Sequence, residues 1–324
     1  MHTSFTKIVL LTCFLLSASI SSTSLAQEPW PQKRITFTVA YSAGGFADTV
    51  ARLIATKLQE RLGQSIVVQN IDGAAGSTAA RQVAYSPPDG YTFLVTTTGV
   101  AINDALYRDR PPVSSRLVPI SIPISAPEAL TANPKQGIKT FQDMLNVAKS
   151  GKAFVGTPGI GSGSHISAQY FFKNLAKSHV TFIPFPGGSQ SMQALMAGDI
   201  NVRAAAVTTL TIPAIRNGEL VGLAVASEQR DPSLPEVPTY KELGYDGFIA
   251  TNWVGVFAAA GTAPTVSEKL NAELELVMQD PEMRKRMDAL SLQITPRNWN
   301  ATIDFFKADV ARWTAMIIAT EADK

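Results

Sequence analysis

Residues 35–58 read ITFTVAYSAGGFADTVARLIATKL, and this stretch decides the fold. Its first part, Ile35–Ala40, is apolar and rich in β-branched residues, which predicts a buried strand. The turn Ser42–Gly45 follows, and after Asp48 apolar residues recur at helical spacing until Gly63. A strand, a glycine-rich turn and a helix in this order form the repeating unit of an α/β protein.

A second unit of this kind lies further along the chain, where the strand Ala153–Gly156 leads through a glycine-rich turn into a helix over Ser164–Ala176. Its Gly161 follows Gly44 by 117 positions. Strands and helices alternate between and after these units, which predicts mostly parallel sheets covered by helices on both faces. We therefore expect two domains of similar construction, each with a flexible turn at the carboxyl end of a strand. Ligands bind at that edge of open α/β sheets.

The clearest helical pattern lies near the C-terminus. Ile303, Phe306, Val310, Trp313 and Ile317 are spaced three and four residues apart, which predicts one apolar stripe facing a core. We expect Asn300 to cap this helix at its N-terminus.

Composition narrows the function classes. The chain has 324 residues with 45% hydrophobic and 17% charged residues, which suits a globular protein of about two domains. Its formal net charge of +2 gives no strong footprint for nucleic acid, so we expect none as a partner. One cysteine and three histidines are too few for a Cys/His metal centre. Motifs for nucleotide phosphates are missing, so we expect neither a metal nor another cofactor.

The first 26 residues resemble an export signal. Lys7 precedes the apolar run Ile8–Leu16, and Ser24-Leu25-Ala26 fits signal-peptidase cleavage after Ala26. The alternative is an N-terminal membrane anchor, but the run is shorter than the about 20 residues a span needs. Cleavage would also remove Cys13, the only cysteine. We therefore expect an exported, periplasmic protein without a stable membrane insertion.

Several glycine- and serine-rich junctions between a strand and the helix after it are the candidate ligand-binding features of the sequence. They are Ser42–Gly45, Asp72–Ser77, Thr96–Gly99, Gly161–Ser164 and Pro186–Ser189. The first amides of a helix lack partners and carry partial positive charge, and glycine lets an anion approach them. The alternative for each junction is ordinary capping, with Ser164 and Ser189 serving only as N-caps. Their recurrence after strands favours ligand binding.

Three ionisable residues accompany these junctions. Asp48 is either a favourable acid in a first helical turn, an acceptor for a ligand hydroxyl, or an orienter of the turn's amides. His165 begins a helix, where it makes either a structural hydrogen bond or a ligand contact. Arg203 lies in an apolar strand, either as half of an ion pair or as a cation for an anionic ligand.

The sequence contains none of the catalytic motifs considered, which are the nucleophile elbow and the glycine-rich nucleotide-binding fingerprints. The strings around Ser162 and Ser189 do not form the G-x-S-x-G nucleophile elbow. The rival hypothesis is a secreted hydrolase that uses Ser164 or Ser162 with His165. Adjacent residues on a helix do not face each other, so Ser164 and His165 are poorly placed for proton transfer.

Taken together, these motifs resemble the Bug-type periplasmic solute receptors of tripartite tricarboxylate transporters. Val39–Asp48 with Ala51-Arg52 resembles the family's opening P-A-G-G-x-x-D-x-x-A-R pattern, with Ser42 in place of proline. Pro88–Leu94 resembles its P-D-G-Y-T-L-L strand, and Gly161–His165 its second glycine/serine turn. Further matching stretches run in order through most of the chain after residue 26.

Three departures concern the ligand more than the fold, and one of them is that Gly198–Asn201 replaces the family's G-x-V-D turn. Asn70–Gly76 lacks the basic residue and the proline of the family's N-R-P-G-A-G-G loop. Ala204–Ala206 stands where the family often has a bulky or polar residue facing the cleft.

The resemblance implies a type II-like periplasmic-binding-protein fold with two lobes that close on a carboxylated solute, without enzymatic activity. We expect lobe 1 to comprise residues 27–125 plus 250–324 and lobe 2 residues 126–249. The partners implied are the solute and the membrane components of a tripartite transporter, with the receptor as a monomer. A sensory partner of a membrane kinase would have the same fold and remains an alternative.

The resemblance and the junctions together assign a set of positions to ligand binding. They are Tyr41, Ala43, Gly44, Gly45, Asp48, Gly73, Ala74, Ala75, Gly76, Thr97, Thr157, Gly161, Ser162, Ser164, His165, Gly187, Gly188 and Ser189.

Overall fold

The computed structural model describes residues 30–109, 111–208, 210–290 and 292–321. The proposed signal peptide, residues 1–26, lies outside this range. The chain divides into two compact units, Met1–Gln32 and Lys33–Lys324, and the architecture below is that of the second. Within the described ranges, none of the helices combines the length and the apolar character needed to cross a bilayer.

A single mixed sheet forms the centre of the protein. Its strands are β1 (Ile35–Val39), β2 (Ile66–Asn70), β3 (Thr92–Thr97), β4 (Leu117–Ala132), β5 (Phe154–Thr157), β6 (Thr181–Pro184), β7 (Val202–Ala206), β8 (Val221–Val225), β9 (Thr251–Ala259) and β10 (Gln293–Ile294). Their order in the sheet is β2-β1-β3-β9-β4-β7-β5-β6, and β8 and β10 also pair with β4.

Helices follow most of the strands. They are α1 (Phe46–Leu62), α2 (Ser77–Ala84), α3 (Gly99–Leu106), α4 (Phe141–Lys149), α5 (Gly163–Tyr170), α6 (Gly188–Ala197), α7 (Thr211–Arg216), α8 (Pro264–Gln279), α9 (Pro281–Ala289) and α10 (Trp299–Glu321). A π-helical turn, Phe171–Leu175, continues α5.

The long strand β4 joins two halves of the sheet. From Leu117 to Pro127 it pairs antiparallel with β9, whereas Glu128–Ala132 pair with β7 and β8. We call the part with β1, β2, β3, β9 and β10 the first half and the part with β5, β6, β7 and β8 the second half. The outer pairs, β1 with β2 and β3 and β5 with β6 and β7, are parallel. Each half therefore presents the carboxyl ends of its parallel strands, and the junctions that follow them, at one edge.

Local sequence signals explain where several helices begin and end. Gly63 ends α1 in the left-handed conformation with a φ of 64°, as expected of a glycine C-cap. Thr140 and Asp143 form a reciprocal capping box at the start of α4. The predicted end of the first helix at Gly63 is thereby confirmed.

Other expectations need correction. Asn300 lies inside α10, and the amide of Ala301 donates to the side chain of Asn298, which therefore caps this helix. The predicted helix Ser164–Ala176 divides into α5 and the π-helical turn. The sheets were expected to be mostly parallel, and β4 and β9 add an antiparallel centre that alternation of strands and helices does not reveal.

Candidate functional site

The turn after β1 is held by a network around Asp48. The carboxylate accepts hydrogen bonds from the Gly44 amide at 2.8 Å, Arg52 Nε at 3.0 Å and Asn70 Nδ2 at 2.9 Å. Burial raises the pKa of Asp48, but the bonds from Arg52, Gly44 and Asn70 outweigh that effect and hold the pKa below its usual value. Asn70 also donates to the Tyr41 carbonyl at 2.9 Å. Asp48 therefore orients the turn.

This network corrects the expected role of Gly44. Its amide already donates to Asp48, so it is not a free donor for an anion. Its φ of +76° still favours glycine. Gly45 is the N-cap of α1 with a φ of −78° and no side-chain cap, which leaves the first amides of α1 facing the turn. Ala43 is exposed beside them.

The turn after β2 has an unusual backbone. Gly73, Ala74, Ala75 and Gly76 all have positive φ, with values of 48° and 50° for the two alanines. A side chain in this left-handed region costs about 1–2 kcal/mol per residue, so the turn is strained. Ser42 bonds the Asp72 carboxylate and joins this turn to the one after β1.

Tyr41, Thr97 and the strained turn meet at one point. The Tyr41 hydroxyl lies 2.7 Å from Thr97 Oγ1 and donates weakly to the Ala75 carbonyl at 3.4 Å. Gly99, the first residue of α3, has no room for a side chain, since a Cβ there would lie 2.6 Å from the Ala75 oxygen and 2.8 Å from the Tyr41 hydroxyl. The junctions after β1, β2 and β3 therefore form one surface.

In the second half of the sheet, the junction after β5 is organised around His165. Thr157 Oγ1 and His165 Nδ1 share a hydrogen bond of 2.9 Å, and Ser162 caps α5 by accepting from the His165 amide at 3.2 Å. Burial lowers the pKa of His165 to about 4, so its imidazole is neutral near pH 7.

Ser164 is buried and is not an N-cap. Its hydroxyl donates to Glu128 Oε2 at 2.7 Å, and the cap of α5 is Ser162. Neither Ser162, which donates to the Gly159 carbonyl, nor Ser164 bonds the imidazole of His165 in the part of the chain that the structure describes. The serine–histidine pair of the hydrolase hypothesis is therefore not assembled.

The junction after β6 lies at the same edge, because Thr157 and Pro184 are paired at the ends of β5 and β6. Gly187 is the N-cap of α6, and Ser189 is exposed, so the alternative that Ser189 only caps this helix is wrong. Arg203 is buried beneath the first turn of α6, where it donates to Ser191 Oγ at 3.0 Å and to the Gly188 carbonyl at 3.3 Å.

The two halves of the sheet meet through the turn after β5. A Cβ on Gly161 would lie 3.5 Å from Asn103 Oδ1 and 3.7 Å from the Ala75 Cβ. A Cβ on Gly163 would lie 2.9 Å from Thr98 Oγ1. The second-half turn therefore closes against the strained turn after β2 and against the start of α3, which brings the predicted positions of the two halves together.

Three polar residues of this site were not predicted. Asn103 donates to the Ala75 carbonyl at 3.2 Å, Asn252 Oδ1 accepts from Thr98 at 3.0 Å, and Glu128 accepts from Ser164. Asn103 and Asn252 carry no local motif. Glu128, by contrast, is the only charged residue in the sequence of β4, and that isolation is a readable signal.

No cluster of His, Cys, Asp and Glu side chains suited to a metal ion occurs in the described ranges. The polar groups that converge are hydroxyls, amides and helix N-termini. Such groups bind an anion or a hydroxyl-bearing molecule by hydrogen bonds.

Comparison with known proteins agrees with this geometry. The sequence model of one protein family, the tripartite tricarboxylate transporter family receptor, matches residues 50–321 of this chain. The chain belongs to this family. The resemblance to Bug-type receptors is thereby confirmed, and with it the two-lobed periplasmic-binding-protein fold. Receptors of this family are periplasmic.

Relatives match along nearly their whole length. Protein BugT of Bordetella pertussis is 29% identical over 316 residues, which cover 95% of this chain and 95% of BugT. MatC from Rhodopseudomonas palustris, solved with bound malate, has 29% identity and a TM-score of 0.80 over 89% of this chain and all of MatC. A second R. palustris protein, solved with adipate, has 27% identity and a TM-score of 0.82 over 90% of this chain and 98% of that one.

The strained turn supplies a first prediction. In the double variant Ala74→Gly/Ala75→Gly, relief of two left-handed alanines outweighs the extra entropy of two unfolded glycines, so we expect a gain of about 1 kcal/mol in unfolding free energy. Urea denaturation measures it. The control is Ala43→Gly in the adjacent turn, where φ is not positive and stability should stay level or fall slightly. A loss of stability in the double variant contradicts the assignment of strain.

Proposed function

We propose that this receptor captures a small carboxylated solute in a cleft between two lobes and delivers it to the membrane components of a tripartite transporter. The observation that carries the proposal is the meeting of junctions from both halves of the sheet, Ala75 and Thr98 against Gly161 and Gly163. Malate and adipate in two related structures support a carboxylate as the ligand class. The first amides of α1 are the proposed carboxylate donors.

The proposed lobes follow the predicted bounds, with residues 27–125 plus 250–324 in lobe 1 and 126–249 in lobe 2. The change of partners in β4, from β9 to β7 and β8 after Pro127, supports a crossing there. The solute would hold the lobes in the closed arrangement because it contacts both.

We further propose that the mature receptor begins after Ala26, acts as a monomer in the periplasm and performs no chemistry on its ligand. The separation of Ser162 and Ser164 from the imidazole supports binding without catalysis. The positions of Thr157, His165, Gly187 and Gly188 at one edge support that edge as the proposed second-lobe contribution to the cleft.

A thermal-shift screen of mono- and dicarboxylates on the mature chain tests the function. At a ligand concentration of about 100 Kd the stabilisation is about 2.7 kcal/mol, which raises Tm by about 5 °C for a chain of this size. Mass spectrometry of the recovered ligand should show the compound unchanged. Failure of every carboxylate to raise Tm contradicts the proposal, and conversion of the ligand contradicts the absence of chemistry.

Gly45→Val tests the site within the same assay. The φ of −78° accepts valine. The Cβ would lie 3.3 Å from the Ser42 oxygen, a tight contact that a shift of a few tenths of an ångström in the exposed turn relieves, so the fold should persist while the side chain covers the first amides of α1. We expect at least about tenfold weaker binding by calorimetry. Ala263→Val, at the exposed N-cap of α8, is the matched control and should bind normally. Normal affinity in Gly45→Val would place the carboxylate elsewhere.

A further inference from the structure

Glu128 lies where β4 passes from one half of the sheet to the other. Its neighbour Pro127 still pairs with Thr251 of β9, whereas Glu128 itself pairs with Ala206 of β7. Its amide donates to the Ala250 carbonyl at 2.9 Å. Both segments that cross between the proposed lobes therefore run beside this carboxyl group.

The side chain points to the face of the sheet that carries the site. Ala126 and Glu128 are two residues apart in β4, so their side chains lie on the same face of the sheet. Ala126 pairs with Asn252 of β9, and the Asn252 side chain accepts a hydrogen bond from Thr98. Ser164 approaches Glu128 from the second half. Thr98 and Ser164 belong to the two junctions that meet across the cleft, so the Glu128 carboxyl lies at its floor.

One oxygen of this carboxyl group has no hydrogen-bond partner within the described part of the chain. Glu128 is 5% exposed, and Oε1 lacks a hydrogen-bond partner among the described residues, whereas Oε2 accepts from Ser164. A buried acceptor without a partner is costly, and proteins leave few of them unless a ligand or water fills the place. The nearby ionisable groups are Tyr240 and Arg203, and Arg203 lies on the opposite face of the sheet with Thr131.

Burial raises the pKa of Glu128 to about 7, although the Ser164 hydrogen bond and the charge of Arg203 act to lower it. A donor from a bound solute would compensate the buried carboxylate directly. A plain carboxylate placed beside it would instead meet a like charge.

We propose that Glu128 is a specificity-determining residue of the cleft, whose free Oε1 accepts a hydrogen bond from a hydroxyl or ammonium group of the solute. The inference rests on the proposed function and narrows its substrate class. The receptor selects a carboxylic acid that carries a donor group over the same acid without one.

Matched pairs of acids test this selection. The probes are L-malate and L-aspartate against succinate, and lactate and alanine against propionate, with affinities measured by calorimetry on the mature chain. We expect the wild type to bind at least one donor-bearing acid at least tenfold more tightly than its plain partner. In Glu128→Leu this ratio should fall to within about threefold of unity.

Glu128→Gln keeps the shape and an acceptor oxygen but removes the negative charge. A preference for a hydroxyl acid should survive in this variant, whereas a preference for an ammonium acid should be lost, which distinguishes the two donors. If Glu128→Leu does not fold, Glu128→Met replaces it, because methionine has a similar length and lacks the acceptor oxygens, and the ratio should fall to within about threefold of unity there too.

Binding of plain acids as tightly as their donor-bearing partners overturns the inference while the proposed function stands, and so does a preference that survives in Glu128→Leu. A buried water then satisfies Oε1. Failure of every acid to bind overturns the proposed function and the inference together.

Discussion

Replacing Asp309 with leucine is expected to lower the unfolding free energy by about 3–5 kcal/mol. Asp309, in α10, is 3% exposed and accepts hydrogen bonds from Trp253 Nε1 at 2.8 Å and from Trp313 Nε1 at 2.9 Å. It also forms an ion pair with Arg312. Leucine would leave two buried indole N–H groups without an acceptor, and each such group costs about 1–3 kcal/mol.

We expect the Asp309→Leu substitution to disturb the candidate site as well. Trp313 packs beneath the first turn of α5, where a Cβ on Gly163 would lie 3.3 Å from its ring. Trp253 belongs to β9, which pairs with β3 and β4 in the first half of the sheet. Asp309 therefore fixes α10 against both β9 and the turn that closes on Thr98.

Chemical denaturation with matched variants measures the effect. Asp304→Leu makes the same change at an exposed position of α10 and should shift the unfolding free energy by less than about 0.5 kcal/mol. Asp309→Asn keeps one acceptor oxygen and should fall between the two. Equal stabilities for the two leucine variants would show that the indole bonds contribute nothing net.

The local sequence pattern was sufficient to predict the strand and the helix of the first α/β unit. The strand at Ile35 and the helix after Asp48 are bounded by a glycine-rich turn and by Gly63, and these signals act through neighbouring residues only. The strand β4 was not predicted because Pro119, Pro123 and Pro127 interrupt its apolar run, and proline removes a ladder donor. Its pairing with β9 accommodates them through register shifts between Pro119 and Ser121 and between Ser121 and Ile124.

The same distinction applies to the site. The junctions could be predicted one by one, because each is a strand end followed by small residues. The bonds of Tyr41 with Thr97 and of Ser164 with Glu128 join residues 56 and 36 positions apart, and no periodic pattern encodes such a pair. The amide of Gly44 was misassigned for the same reason, since only the folded turn shows that Asp48 occupies it.

The second large effect concerns pH, where two buried groups act in opposite directions. Burial raises the pKa of Glu128 from 4.5 to about 7 and lowers that of His165 from 6.5 to about 4. The folded state therefore holds a proton on Glu128 that the unfolded chain has released between about pH 4.5 and 7. The stabilisation of the folded state by this proton is fully present below pH 4.5 and is lost as pH rises through 7. The His165 contribution is present above pH 6.5 and is lost as pH falls towards 4.

Between about pH 4.5 and 6.5 the loss of stability from Glu128 and the gain from His165 cancel as pH rises. The unfolding free energy of the wild type therefore changes little with pH in this range, and variants of one residue are needed to measure either effect. Each shift corresponds to roughly 3 kcal/mol. Glutamine imitates protonated Glu128, so Glu128→Gln should match the wild type near pH 4.5 and exceed its unfolding free energy by about 3 kcal/mol at pH 8. Urea denaturation without ligand across this range measures the difference.

Glu219→Gln at an exposed position is the control and should differ from the wild type by less than about 0.5 kcal/mol throughout. A Glu128→Gln difference that does not grow with pH would mean that the carboxyl ionises as freely in the folded protein as in the unfolded chain, and that the floor of the cleft admits water to Oε1.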